Sequence, residues 1–138
     1  MKYLGLDLGS RTLGVAISDS MGCLASIYDT YRFSDDDYES AANYIALVIK
    51  KENIETVVLG YPKHMNGDVG LRGEISEKFK EMIMERVKVN IILWDERLTT
   101  VLIDRMMISA DVKRKKRKEK KDELAAVLIL QSYLDSKH

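Results

Sequence analysis

Lys2-Tyr3-Leu4-Gly5-Leu6-Asp7-Leu8-Gly9, continued through Ser10-Arg11 into Thr12-Leu13-Gly14-Val15-Ala16-Ile17-Ser18, decides how this chain folds. Side chains alternate faces along a strand. Leu4, Leu6 and Leu8 therefore share one face of the first run, and Gly5, Asp7 and Gly9 share the other. In the second run Leu13, Val15 and Ile17 lie opposite Gly14, Ala16 and Ser18. Two such runs joined by Gly9-Ser10-Arg11 read as a β-hairpin over 2–8 and 12–18. Its leucine face suits a core. Its other face carries small side chains and one acid, and a carboxylate removed from water needs a cation, a hydrogen-bond partner or a metal. Two uses fit that face: a closely packed helix with Asp7 in a salt bridge, or a site where a ligand meets the backbone beside Asp7.

Working outward, residues 23–33 alternate weakly and suggest a third strand. Ser34 and Asp35 to Asp37 supply a cap and first-turn acids for a helix over 36–52, with Tyr38, Ala41, Ala42, Ile45, Val48 and Ile49 at helical spacing. Thr56-Val57-Val58-Leu59-Gly60 has the continuous apolar character of a strand buried on both faces. A loop containing Pro62, Asn66-Gly67 and Gly70 precedes a second helix starting near Arg72, and 87–94 forms a further strand. Residues 98–107 read as helical, and Asp122 to Leu134 as the last helix. The order βββαβαβ followed by helices predicts an α/β fold. Its mixed five-stranded sheet has an antiparallel β1-β2-β3 meander, then parallel strands, with helices on both faces.

The 138 residues suit one domain over 1–138, with 46% hydrophobic and 32% charged residues as in ordinary water-soluble folds. No apolar run approaches the ~18 residues of a membrane span. The start enters a strand directly, without the layout of a secretion signal, and the expected compartment is the cytoplasm. Cys23 is the single cysteine, which excludes an intrachain disulfide and suggests no cysteine-based metal site. Net charge is zero, yet Lys113-Arg114-Lys115-Lys116-Arg117-Lys118-Glu119-Lys120-Lys121 holds eight bases and one acid, +7, leaving −7 elsewhere. A cationic patch on an acidic protein points to a polyanion; the plain alternative is a solvated loop or frayed helix that aids solubility.

Ligands of open α/β sheets bind beyond the carboxyl ends of the parallel strands. The strand over 87–94 runs into Asp95-Glu96-Arg97 at that end. Either acid could pair with Arg97 or cap a following helix. Asp122, after the basic run, has the N-cap as its plain reading. If Asp7, the Asp95-Glu96 pair and Asp122 meet at one edge, their hard oxygens favour Mg²⁺ or Mn²⁺ over Zn²⁺. One or two such ions suit hydrolysis of a phosphodiester. Arg11 in the first hairpin, and Lys63 and Asn66 in the loop after the fourth strand, could reach phosphates, as could Lys113 to Arg117. Gly67 to Gly73 is glycine-rich before a helix but lacks the Gly-Lys-Ser/Thr ending of a Walker loop.

Leu4 to Ala16, Val58-Leu59-Gly60-Tyr61-Pro62 with Asn66-Gly67, Trp94 to Thr100, and Asp122-Glu123-Leu124-Ala125-Ala126 with Leu130 to Leu134 together resemble the YqgF family, nearly end to end. Its members are described as pre-16S rRNA nucleases and, in older usage, as Holliday junction resolvases. The resemblance implies a ribonuclease H-like fold and metal-dependent cleavage by an acidic cluster. By position Asp7, Glu96 (with Asp95 as competitor) and Asp122 match the metal-binding and catalytic acids. The bona fide junction resolvases of this fold place an acid near the end of the fourth strand. Here that segment is Leu59-Gly60-Tyr61-Pro62, so the acid must come from the fifth. The implied partner is structured precursor rRNA or an assembling ribosomal particle, with branched DNA as the alternative substrate. A third reading is a non-catalytic assembly factor that binds nucleic acid. No clear dimer face is visible, which suits a monomer or weak homodimer.

Overall fold

A computed structural model describes residues 1–62, 70–95 and 114–137, with the backbone alone over 114–123. The elements are β1 (Lys2–Leu8), β2 (Thr12–Ser18), β3 (Ala25–Arg32), α1 (Tyr38–Glu52), β4 (Ile54–Tyr61), α2 (Leu71–Arg86), β5 (Asn90–Asp95) and α3 (Arg114–Ser136). The strands form one sheet in the order β3-β2-β1-β4-β5. β1 pairs antiparallel with β2, and β2 with β3; β1 and β4, and β4 and β5, run parallel. The mixed sheet expected from the hairpin and the βαβ pattern is present. The helix expected over 98–107 lies outside the described residues.

Alternation along β1 sorts the two cores. Leu4, Leu6 and Leu8, with Leu13 and Val15 of β2, pack under α1 and α2 against Ala41, Ala42, Ile45, Phe79 and Ile83. Leu4, Leu6 and Leu13 are fully buried, each worth about 1.5–3 kcal/mol of apolar burial. Tyr3, Ala16 and Val58 face the other way and pack under α3 against Ala126, Ile129, Leu130 and Leu134. α3 comes so close that a Cβ on Gly5 would stand 2.6 Å from Leu130 Cβ and 2.8 Å from the Ala126 carbonyl oxygen. Gly5 is small because a helix lies on it.

Polar contacts fix the helices. Asp37 caps α1, accepting from Ser40 N at 3.3 Å, and Asn53 ends it in the left-handed conformation. Arg86 ties α2 to α1 through Glu39 and through Asn43 Oδ1 at 2.7 Å. Gln131 clamps α3 to the start of β3: its Oε1 accepts from Ala25 N at 2.9 Å and its Nε2 donates to the Cys23 carbonyl at 3.0 Å.

The last helix departs from expectation. It begins at Arg114 rather than Asp122, so the basic run is helical from Arg114 onward and Asp122 lies in the helix interior, where it is no N-cap. Cations near a helix N-terminus oppose its dipole. Lysine, arginine and glutamate are nonetheless good helix formers, and no glycine or proline interrupts 114–134. Propagation from the packed segment is favourable once that segment has nucleated.

Candidate functional site

β1 and β4 are parallel neighbours, so their carboxyl ends lie side by side. Asp7 sits one residue before the end of β1, half-buried, opposite Gly14 of β2. It shares the face of Tyr3 and Gly5, on which α3 packs. Along β1 the helix packs at Gly5, and Asp7 lies beyond it toward the strand end.

α3 runs antiparallel to β1 across this face. Leu134 and Lys137 are near Tyr3, where Lys137 Nζ donates to Tyr3 Oη at 2.7 Å, while Ala126 and Leu130 are at Gly5. Positions 122, 126 and 130 share one helical row. The backbone at 122 is thus one turn before Ala126, toward the Asp7 end of the sheet.

Asp95 closes β5 in register with Tyr61 of β4. Leu93, two residues earlier, packs into the α1–α2 core, and Tyr61 Oη donates to Glu77 Oε1 of α2 at 2.5 Å. Alternation gives Asp95 that face. Trp94 takes the α3 face, edge-on to Tyr133 with ring centroids 5.3 Å apart and its Nε1 donating to Ser132 Oγ at 3.2 Å. Trp94 is a packing residue. Glu96, Lys63, Asn66 and Lys113 lie outside the described residues, as do the side chains of Arg114, Lys115, Lys116, Arg117 and Asp122. Of the expected acids, Asp7 and Asp95 are described with their side chains, and alternation assigns them to opposite faces. Among the described residues, no three His, Cys, Asp or Glu side chains cluster as a metal site.

Around the end of β1 the β1–β2 turn is bound to the loop leading into α1. Phe33 N donates to the Arg11 carbonyl and Asp36 N to the Ser10 carbonyl, each at 2.9 Å. Arg11 forks onto Asp35, with Nη2 3.0 Å from Oδ2 and Nε bound to Oδ1. That guanidinium holds the Asp35 carboxyl below the usual range, and Asp35 in turn raises Arg11. Both side chains are exposed, so the pair contributes little to stability and is open to exchange for another anion.

Sequence reading missed a contact made by Arg72. From the first turn of α2 its Nη2 donates to the Leu8 carbonyl at 2.8 Å, and its Nη1 lies 3.3 Å from Tyr38 Oη. Tyr38 Oη donates to Asp36 Oδ1 at 3.0 Å. These residues are 64 and 34 positions from Arg72, so no local pattern announces the contacts.

A sheet ordered β3-β2-β1-β4-β5, antiparallel then parallel, with helices on both faces and an acid at the end of β1, defines the ribonuclease H-like class. Two solved structures share this fold: RuvC of T. thermophilus in complex with a Holliday junction substrate, and the fowlpox virus Holliday junction resolvase. The first has a TM-score of 0.62 at 10% identity, covering 99% of this chain and 96% of that one. The second has a TM-score of 0.56 at 19% identity, covering 99% of each. The family model described as "RuvX: Holliday junction resolvase" matches residues 1–136, and the chain belongs to that family, also known as YqgF. A relative from Bacillus licheniformis is 52% identical over 136 residues, covering 99% of this chain and 98% of its own. One from Staphylococcus aureus is 49% identical over 138 residues, covering 99% and 97%. Both carry the name "Putative pre-16S rRNA nuclease".

Proposed function

We propose that this chain is a metal-dependent nuclease that hydrolyses phosphodiester bonds, acting on the 5′ region of precursor 16S rRNA during ribosome assembly in the cytoplasm. The observation that carries the reading is Asp7: a half-buried carboxylate at the carboxyl end of β1, where open sheets bind ligands. Whole-length relatives named as pre-16S rRNA nucleases supply the substrate class. No helix of the described residues is long and apolar enough to cross a membrane.

The acids fit a hard divalent cation, Mg²⁺ or Mn²⁺. Asp7, Glu96 and Asp122 would hold one or two ions. Glu96 is preferred to Asp95 because Asp95 alternates to the α2 face with Tyr61, away from that of Asp7. The position of residue 122 on α3, a turn before Ala126, supports its place beside Asp7. A bound divalent ion stabilises the developing charge on phosphate oxygens and lowers the pKa of water. The protein's own part is to hold the carboxylates in place and to grip the backbone on either side. In the hydrolysis a water oxygen bonds to phosphorus and gives up a proton to solvent, while the P–O3′ bond breaks and the departing O3′ takes a proton from solvent, leaving a 5′-phosphate and a 3′-hydroxyl. Arg11, Lys63, Asn66 and the bases from Lys113 to Arg117 would position phosphates without reading sequence. The 138 residues would act as one nuclease domain, a monomer or weak homodimer.

Asp7→Asn tests the reading. Wild type should cut a precursor 16S leader RNA with Mg²⁺ or Mn²⁺ and fail with EDTA. Asp7→Asn should lose at least a hundredfold in rate while still binding the RNA. Wild-type protein that binds but never cuts either RNA or DNA would leave a non-catalytic assembly factor as the function. The family description and the RuvC-like fold favour a second substrate, the four-way DNA junction. Faster cleavage of the junction than of the leader RNA would select it.

A further inference from the structure

Among the described residues, Arg11 and Arg86 are each ion-paired, to Asp35 and Glu39. Arg72 is half-buried and forms no ion pair among them. Its charge is partly removed from water, and its partners among the described residues are a carbonyl and a hydroxyl. The nearest acid in that chain of bonds, Asp36, is one hydroxyl further on. A guanidinium has five N–H donors; two are used, and those two bonds hold it beside the residue that follows Asp7. Desolvating a cation without an opposite charge is costly, and the cost is recovered if an anion joins when ligand binds. Arginine's planar fork matches phosphate oxygens.

We propose that Arg72 donates to a phosphate of the nucleic acid bound at the Asp7 end of the sheet, while its bond to the Leu8 carbonyl keeps it aimed there. This rests on the nuclease reading above, and the test separates the two. Binding of a labelled four-way DNA junction and of a precursor 16S leader RNA is measured by anisotropy in EDTA, so that cleavage plays no part, between 50 and 200 mM KCl. Arg72→Gln keeps an amide donor for Leu8 and removes the charge; Arg72→Lys keeps the charge and loses the fork.

For the polymer that wild type binds, Arg72→Gln should weaken binding about tenfold at 50 mM KCl. It should also reduce the salt slope by the share of one phosphate, about 0.9 for duplex DNA or about 0.7 for a single strand. Arg72→Lys should keep the wild-type slope. Arg72→Gln with wild-type slope and affinity would overturn the assignment and leave Arg72 as a pin for β1, with the nuclease reading intact. So would equal losses in both variants, since charge would then be irrelevant. Wild-type protein that binds neither polymer would overturn both readings together.

Discussion

Asp7 shows how one residue can be read at two levels. Its charge among Gly5, Gly9 and Gly14 was visible from alternation alone, and its half-buried place at the end of β1 follows from the same period. Arg11, expected from its place in the first hairpin to reach a phosphate, forks onto Asp35 on the surface. If Arg11 also serves phosphate, Asp35 competes with it. Asp35→Asn should then tighten RNA binding by roughly two- to fivefold at low salt, as expected for release of an exposed pair, and should do nothing if Arg11 is only a turn residue. The pH dependence has a definite sign. Asp35 is lowered by Arg11, so the pair is fully formed above the ordinary Asp value of about 3.9 and is lost only as pH falls through the lowered value. Titration of this pair should therefore leave binding flat from pH 5 to 8, which anisotropy at each pH would check. Arg72 lay beyond sequence reasoning because its partners, Leu8 and Tyr38, are joined to it only by the folded β1–α1–α2 corner.

Among the elements, strands were the more legible. β1 and β2 match their expected bounds, β4 and β5 shift by a few residues, and β3 shortens from 23–33 to Ala25–Arg32. Period two over a hairpin with one leucine face leaves few alternatives. The last helix was harder, because the same lysines and arginines that read as a solvated loop also favour helix, and tertiary packing of Ala126 to Leu134 decides between them. Gln131, inside the last expected helix, is the clamp to β3. The contact of α3 with β1 gives a sharp expectation. Gly5→Ala places a methyl group against Leu130 and the Ala126 carbonyl, a backbone atom that cannot rotate away. Overpacking of this kind costs about 1–3 kcal/mol, read as a lowered urea midpoint. It should also reduce cleavage, since α3 carries position 122; unchanged stability would mean that the helix gives way freely.

At the level of the whole molecule, charge separation organises the binding proposal. The run from Lys113 to Lys121 carries +7 and the remaining residues −7. Its helical part, from Arg114 onward, belongs to the same element that packs on Gly5. Successive positions along a helix hold a fixed spacing that a loop would not. Replacing Lys115, Lys116 and Arg117 by Ala should weaken RNA binding and flatten its salt dependence by about 0.7 for each phosphate left without a cation, without changing the thermal midpoint by more than a few degrees. An unchanged slope would reduce the segment to a solubility device. The fold class followed from the order of elements, but no pattern in the sequence fixes the proposed meeting of the acids. Glu96 and Asp122 are separated from Asp7 by 89 and 115 positions in the chain, and convergence over such distances is a property of packing rather than of pattern. The most direct measurement is the anomalous map of a crystal soaked in Mn²⁺. A peak within about 2.5 Å of an Asp7 carboxylate oxygen, shared with Glu96 and Asp122, is the expected result; a well-ordered site in which those three carboxylates point apart and no ion binds Asp7 would contradict it.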